Sequence, residues 1–385
     1  MRTALKVVES AFQECVIELP QDGEAHSLHG AVPYPLSIRH PICAHFIDRY
    51  SRKGGTVLDP FCGSGATPLE TNLRGRVAFF SDRSSFAVKL ARSKIEASDI
   101  TEVTLRLQQY NLRRPINVKS FDQLFAPFYD LNTFREIVNL RSAIQAQYDR
   151  TARFMELLAI GLLHGHSAGY FSVYSLPQVS LTPQDQVGLN IKRNQSPDYR
   201  AVAPRLLRKA CSVLRDGIPS ILRHVEIKNR YAACDARNLS YVTSSSVDLC
   251  VTAPPGPLYR DPASQMWLRL WFAGVTEGSL GEPGFEYGDV PSWRDFMNEW
   301  LLELARVTRS SGRAVLELSD VSLGGKPLRV DRELLALVNE QLGRYWEPEV
   351  SFTPKARSTA LQNSLDAQED PRAAQRSRIL VLKRR

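Results

Sequence analysis

One stretch decides the fold of this chain: Thr56-Val57-Leu58-Asp59-Pro60-Phe61-Cys62-Gly63-Ser64-Gly65-Ala66-Thr67. Its short apolar run breaks at Asp59-Pro60, glycines follow at alternate positions, and Pro68 then opens a helical pattern. A glycine turn at the end of a strand lets backbone N–H groups approach a ligand closely, and the following helix N-terminus adds partial positive charge. The stretch therefore predicts a strand, a tight turn and a helix that together bind a cofactor.

The residue types in this loop restrict which cofactor it can bind. It has neither the lysine of a P-loop nor the three-glycine dinucleotide fingerprint. It resembles motif I of the S-adenosylmethionine-dependent DNA amino-methyltransferases, whose loop reads Asp-Pro-Phe-x-Gly-x-Gly-Thr-Thr, and Ala66 is the one departure. The alternative is an ordinary glycine-rich turn of a doubly wound protein. The resemblance implies S-adenosylmethionine as cofactor, held by Asp59, Pro60, Phe61, Gly63, Ser64, Gly65 and Thr67.

The same resemblance implies the fold class. We expect an α/β protein with a Rossmann-like, seven-stranded methyltransferase sheet and a helical insertion between the second and third strands. Residues 1–100 would form the N-terminal part of the methyltransferase core, residues 101–226 the insertion, and residues 227–385 the C-terminal part of the core. The resemblance covers residues 26–100 and 227–385.

Composition restricts the remaining possibilities. The chain has 385 residues, no run near the roughly 18 apolar residues that cross a bilayer, and no signal-peptide pattern at its start. We expect a cytoplasmic protein that does not contact a membrane. The six cysteines are scattered without a Cys-x-x-Cys pair, which indicates neither a metal site nor a disulfide framework.

The excess positive charge lies in the insertion. Residues 101–230 contain 18 Lys or Arg against 10 Asp or Glu, while the rest of the chain is neutral. Basic residues interleaved with aromatic ones suit phosphate contacts and base stacking; here they are Arg153, Lys192, Arg193, Arg200, Arg205, Arg208 and Lys209 with Tyr170, Phe171, Tyr174 and Tyr199. The segment is interpreted as a DNA-recognition region, although a solvated basic surface would have the same composition.

Two acidic residues are assigned to the nucleoside. Asp82 ends the apolar run 77–80, where a carboxylate can accept hydrogen bonds from ribose hydroxyls. Cys234-Asp235-Ala236-Arg237 resembles the family's motif III, which places Asp235 beside the adenine. Pro41 and Ile42 fit the family's motif X loosely, next to the methionine end of the cofactor.

The catalytic motif is altered. The family uses (Asp/Asn/Ser)-Pro-Pro-(Tyr/Phe), whose first side chain and first proline carbonyl accept hydrogen bonds from the target amine while the aromatic ring stacks on the flipped base. The chain has Ala253-Pro254-Pro255-Gly256 at this position. The side-chain acceptor and the ring are therefore missing, and Tyr259 is the candidate replacement for the ring.

Two functions follow from these residues. The first is methyl transfer to cytosine N4 or adenine N6 of a flipped DNA base. The second is a homologue that binds cofactor and DNA without transfer, as a DNA-binding or regulatory subunit, with a possible protein partner in a restriction or phage-defence system. A guanine-N2 methyltransferase acting on RNA is a third possibility, although it would lack the same acceptor.

Overall fold

The computed structural model describes residues 13–19, 25–34, 37–116, 121–257, 262–275, 289–323, 326–354 and 377–385. The strands are β1 (Gln13–Ile17), β2 (Thr56–Asp59), β3 (Val77–Asp82), β4 (Arg230–Ala233), β5 (Val247–Thr252), β6 (Thr308–Ser319), β7 (Val321–Leu323), β8 (Lys326–Leu328), β9 (Trp346–Pro354) and β10 (Ser377–Arg384). The α-helices are α1 (His40–Tyr50), α2 (Ala66–Leu73), α3 (Ser85–Ile95), α4 (Ile100–Gln108), α5 (Leu131–Ala146), α6 (Arg150–Ile160), α7 (Pro183–Arg193), α8 (Val202–Val213), α9 (Ser220–Glu226), α10 (Trp267–Ala273), α11 (Val290–Val307) and α12 (Val330–Leu337).

Eight of these strands form one sheet, in the order β1-β9-β10-β6-β5-β2-β3-β4. β10 is antiparallel to both of its neighbours, and the other pairs are parallel. From β2 the chain builds outward through β3 and β4, then returns to place β5 on the other side of β2. In open α/β sheets, ligands bind where the strand order reverses in this way, at the carboxyl ends of the strands.

Helices cover both faces of the sheet. On one face, α1 packs through Ile42, Phe46 and Ile47 against Val57 and Val251. On the other face, Trp293 and Trp300 of α11 pack with α12 against strand residues that include Leu58 and Leu316. The continuous apolar runs that predicted buried parallel strands are explained by this two-sided coverage.

The insertion lies between β3 and β4 and is helical, as predicted. Its helices share one apolar core with α10, in which Phe125, Phe134 and Trp271 stack with ring centroids within 6 Å of one another. The insertion is therefore packed onto the sheet domain through the helix that follows the altered catalytic motif.

The predicted fold class is confirmed, with one difference in the sheet and one in the insertion. The sheet has eight strands rather than seven, because β1 adds to its edge beside β9. The Gly, Ser and Pro residues of 165–197 predict a loop, but this segment contains α7, which Thr182 caps by accepting the Asp185 N–H. The charged, Gln-rich segment 366–378 is typical of a loop or flexible hairpin; all but its last two residues lie outside the described residues, and those two begin β10.

Candidate functional site

The first and fourth strands of the core are tied together where the strand order reverses. The Thr252 hydroxyl, at the end of β5, donates to Asp59 Oδ1, at the end of β2, at 2.6 Å. Thr67, in the first turn of α2, donates to the Val251 carbonyl at 3.1 Å. These bonds fix the glycine loop against the strand that leads into Ala253.

The glycine loop needs its glycines for different reasons. Gly63 and Gly65 have φ angles of 49° and 83°, in the left-handed region that favours glycine. A Cβ at Gly65 would lie 2.7 Å from Cα of Ala91, so glycine lets α2 approach α3. A Cβ at Gly63 would lie 3.3 Å from Tyr34, which covers the loop from the segment before α1.

Asp82 is bonded directly to this loop. Its Oδ2 accepts from the Gly63 N–H at 3.0 Å, and its Oδ1 accepts from the Ser84 N–H at 2.9 Å. The Cys234 N–H also donates to the backbone carbonyl of Asp82, at 3.0 Å. The predicted ribose residue therefore lies between the glycine loop and the segment that carries Asp235.

Asp235 is held by an ion pair within its own loop. Its carboxylate accepts from Nε and Nη2 of Arg237, at 3.1 and 2.8 Å. Desolvation opposes ionisation of Asp235, but the hydrogen bonds from Arg237 outweigh it and lower its pKa. The adenine role of Asp235 stays a prediction, because any further hydrogen bond to its carboxylate would be made to an oxygen that already accepts from Arg237.

Phe61 lies in an aromatic group with Phe296 and Trp300 of α11, and its ring is 5.0 Å from that of Trp300.

The altered motif follows β5 without a break. The Trp293 indole N–H donates to the Pro255 carbonyl at 2.9 Å, and this bond anchors the Pro-Pro turn. A Cβ at Gly256 would meet Val321 at 3.9 Å, an ordinary contact, so the backbone leaves room for a side chain there. Tyr259 lies outside the described residues, and its proposed stacking role stays a prediction.

The neighbouring strand carries a carboxylate beside the altered position. Thr252 lies opposite Leu316, so Ala253 and Glu317 are the next residues along these two parallel strands. Glu317 accepts from Nε of Arg39 at 2.8 Å and from its backbone N–H at 3.2 Å. Because both oxygens bind the residue before α1, Glu317 anchors that helix rather than standing free as an acceptor beside Ala253.

Asp59 is an ionisable group in the centre of this arrangement. It is fully buried, and its Oδ2 has no hydrogen-bond partner in the described part of the chain. Burial raises the pKa of Asp59 to about 7, although hydrogen bonds from Thr252 and from the Phe61 N–H oppose the rise. The site therefore contains a carboxyl group that is largely protonated below neutral pH.

Most of the basic residues assigned to DNA are used inside the protein. Arg153 pairs with Glu96, Arg200 and Arg205 donate to backbone carbonyls, and Lys209 donates to the Gly30 carbonyl. Of the aromatic residues, Phe171 is a core residue. Lys192, Arg193 and Arg208 lie exposed.

Two of these exposed cations lie at the end of α7, near an aromatic ring. The Arg193 guanidinium lies 3.7 Å from the centre of the Tyr174 ring. The segment before α7 contacts the chain that follows the altered motif, since the Trp267 indole donates to the Leu181 carbonyl at 2.8 Å. The segment that leads into α7 is therefore bonded to the helix that follows the altered motif.

Several residues of this site were not predicted from the sequence. Thr252 and Trp293 position the altered motif, and the hydroxyl of Ser37 lies 3.1 Å from that of Ser64. Lys94 also reaches the glycine loop, at 3.4 Å from Ser64 Oγ. Its position had a signal in the sequence, because Phe86, Leu90 and Lys94 share one helical face and the first two are core residues.

Among the described residues, no cluster of His, Cys, Asp and Glu has the arrangement of a metal site. Within the same ranges, no helix has the length and apolar character that crossing a bilayer requires.

Comparison with known proteins gives matches to solved structures alone. No protein-family model matches the chain, and no curated protein matches it. Three similar structures are TrmN from Thermus thermophilus, a TehB-like SAM-dependent methyltransferase from Corynebacterium glutamicum and the rRNA methyltransferase AviRa from Streptomyces viridochromogenes.

The identities to this chain are 12%, 10% and 11%, and the TM-scores are 0.36, 0.33 and 0.35, in the same order. The matches cover 93%, 89% and 95% of this chain and 52%, 88% and 93% of the other. The chain therefore spans about half the length of TrmN. Matches with identities and TM-scores this low establish neither the fold nor the substrate of this chain. The fold is inferred from the strand order in its own sheet.

Proposed function

We propose that this chain is an S-adenosylmethionine-dependent methyltransferase that acts on an exocyclic amino group of a DNA base, cytosine N4 or adenine N6. One observation carries the proposal. The glycine loop, Asp82, Asp235 and the Pro254-Pro255 turn follow four adjacent strands, β2, β3, β4 and β5, and therefore meet at one edge of the sheet. That edge is where the strand order reverses.

The residues at this edge fit the cofactor. Gly63 adopts a left-handed backbone conformation and has no side chain that would obstruct a ligand at the loop. Asp82 places a carboxylate at the end of the second core strand, and Phe61 supplies an apolar surface. When bound, S-adenosylmethionine supplies a sulfonium methyl group to a nucleophile. The chain's own part is to bind the nucleoside, hold the target amine in line and exclude water.

The target amine is a poor nucleophile because its lone pair is delocalised into the base. A fixed acceptor localises that lone pair as the amine reacts. In this chain the Pro254 carbonyl would accept a hydrogen bond from the target amine, and the Ala253 side chain has no acceptor atom. By analogy with the loss of one oxyanion-hole donor, the missing side chain costs about 2.7 to 4 kcal/mol of transition-state stabilisation.

The basic end of α7 supports a nucleic-acid partner. Lys192 and Arg193 are exposed, and the Arg193 guanidinium lies over the Tyr174 ring. Such cations bind phosphate, and a guanidinium or an aromatic ring can stack on a base. We propose DNA as the partner of residues 101–226, with α7 as the contact.

Ala253 and Gly256 favour a second candidate function. A chain that keeps the cofactor loop and loses both the acceptor and the stacking ring suits a DNA-binding or regulatory subunit, which would work with a protein partner of a restriction or phage-defence system.

Transfer of a labelled methyl group distinguishes the two functions. The wild type is incubated with labelled S-adenosylmethionine and DNA of mixed sequence, with RNA in a parallel reaction and an Asp82→Ala variant as the control. Incorporation into DNA that the control lacks supports the enzyme. Cofactor binding without incorporation into DNA or RNA supports the second candidate, and incorporation into RNA alone contradicts both.

A further inference from the structure

A lysine is buried next to the glycine loop without a carboxylate partner. Lys94, near the end of α3, is 1% exposed. Its ammonium group donates to Ser64 Oγ at 3.4 Å, which is a long hydrogen bond, and no ion pair of Lys94 occurs among the described residues. A buried ammonium without a counter-ion is costly, because burial removes its hydration. Ordinary core packing would favour an apolar residue here.

The surroundings of Lys94 do not neutralise it. The His29 ring interacts electrostatically with Lys94 and contacts the Glu70 carboxylate at 2.6 Å. Glu70 also pairs with Arg74. Burial lowers the pKa of His29 to about 4, so its contact with Glu70 is a hydrogen bond from a neutral ring. Burial is the main cause that lowers the pKa of Lys94, and the positive charge of Lys209 lowers it further. The Cys62 sulfur opposes this shift, but burial raises the pKa of the Cys62 thiol well above its ordinary value, so that it stays neutral at pH 7. An anion would be stabilised at this point, and none of the described residues supplies one.

The position of Lys94 indicates which anion it suits. Asp82 binds the N–H of Gly63, on one side of the loop, and Lys94 reaches Ser64, the next residue. Ser37, in the segment before α1, contacts the same serine at 3.1 Å. If the ribose is at Asp82, the amino-acid end of the cofactor extends toward the loop and the segment before α1, and that end carries a carboxylate.

We propose that Lys94 is the counter-ion of the methionine carboxylate of the cofactor, with the Ser64 and Ser37 hydroxyls beside it. The proposal rests on the cofactor site of the proposed function and does not depend on the substrate. Lys94 is then a specificity residue, because it makes the pocket prefer adenosyl compounds that keep the amino-acid carboxylate over those that lack it.

Calorimetry with two ligands tests this role. S-adenosylhomocysteine carries the carboxylate, whereas 5′-methylthioadenosine has the same adenosyl and thioether groups without the amino acid. The variant is Lys94→Met, which shortens the side chain by one atom and removes its charge. The control is Arg92→Met, which removes a cation from the same helix, where Arg92 binds Glu96 at 2.9 Å.

We expect Lys94→Met to weaken S-adenosylhomocysteine binding by about 30-fold or more, because removing one partner of a buried charge pair has effects of this size. Its methylthioadenosine affinity should stay at the wild-type value, which also shows that the pocket is folded. Arg92→Met should leave both affinities unchanged. Equal losses for the two ligands in Lys94→Met, or no loss for either, would overturn the proposal.

The wild type offers a second measurement that needs no variant. Because the pKa of Lys94 is lowered to about 8, its preference for S-adenosylhomocysteine over methylthioadenosine should fall as the pH rises above 8. A preference that is constant from pH 7 to pH 9.5 contradicts the proposal. Failure to methylate DNA leaves these binding results intact, whereas a wild type that binds neither ligand overturns the cofactor site itself.

Discussion

The hydroxyl of Thr252 donates to Asp59 Oδ1 at 2.6 Å and so joins the last residue of β5 to the last residue of β2. The bond links the two halves of the proposed site, because the glycine loop begins after Asp59 and the altered motif begins after Thr252. Its partners are separated by 193 residues in the chain and both are buried. The cofactor loop and the catalytic loop are therefore positioned as one unit.

Removing this hydrogen bond should lower both the stability of the fold and the affinity for S-adenosylhomocysteine. In Thr252→Val the Asp59 oxygen loses a partner without gaining water, which costs about 1–3 kcal/mol of unfolding free energy. Urea denaturation measures the loss, and calorimetry with S-adenosylhomocysteine measures the effect on the loop. Thr252→Ser keeps the hydroxyl and should behave like the wild type. If the valine variant matches the serine variant in both assays, the bond does not couple the loops.

Asp59 should produce a pH dependence of stability with an unusual sign. Its folded pKa of about 7 lies above the ordinary value of 3.8, so the folded state binds the proton more tightly between these values. The contribution of Asp59 to stability is therefore present below pH 3.8 and is lost as the pH rises toward 7, by at most about 1.4 kcal/mol per pH unit. Asp59→Asn lacks this dependence. The wild type should lose stability relative to Asp59→Asn between pH 5 and pH 8, and parallel stability curves would rule the assignment out.

Restoring the motif should raise methyl transfer. Ala253→Asp supplies the acceptor, and Gly256→Tyr supplies the ring at a position where, among the described residues, a Cβ would meet Val321 at 3.9 Å. We expect the Ala253→Asp, Gly256→Tyr double variant to transfer labelled methyl groups to DNA about 10²–10³-fold faster than the wild type.

The control for this gain is Ala253→Val, which fills the position without an acceptor and should not raise the rate. A double variant that binds cofactor and DNA like the wild type but gains no activity would show that the loop does not face the target base.

The basic end of α7 should set the salt dependence of DNA binding. Each phosphate contact contributes about −0.9 to the slope of log K against log salt concentration. Replacing Lys192 and Arg193 by alanine should therefore reduce the slope by about 2 if both bind phosphate. Binding to labelled duplex DNA between 50 and 200 mM salt is the measurement. Arg153→Ala, which removes a cation already paired with Glu96, is the control, and an unchanged slope in the α7 variant would place the DNA elsewhere.

Local signals in the sequence were sufficient for the central part of the fold. The apolar run before Asp59, the glycine turn and the run before Asp82 predicted β2, α2 and β3 in their correct order. The sequence offers Ser84 or Ser85 as the N-cap of the helix after Asp82, and in the structure Ser84 accepts from the Ala87 N–H. These features depend on residues close together in the chain, so their patterns can be recognised without knowing the fold.

Features that depend on distant residues were less accessible. From composition alone, Arg200 and Lys209 are candidates for phosphate contacts, but in the structure both donate to backbone carbonyls of other segments. α7 was assigned to a loop, although Thr182, Pro183 and Asp185 form a recognisable helix start. The helical face of α3 predicts the burial of Lys94, but the absence of a carboxylate partner among the described residues can be seen only in the folded structure.

The central claim is that a sulfonium nucleoside binds against the turn after the first core strand. A crystal structure of the wild type with S-adenosylhomocysteine tests it most directly. We predict density for the ligand along Gly63-Ser64-Gly65, with the ribose hydroxyls on Asp82 and the carboxylate next to Lys94. A ligand bound elsewhere, or no ligand density along this loop at saturating ligand, would contradict the claim.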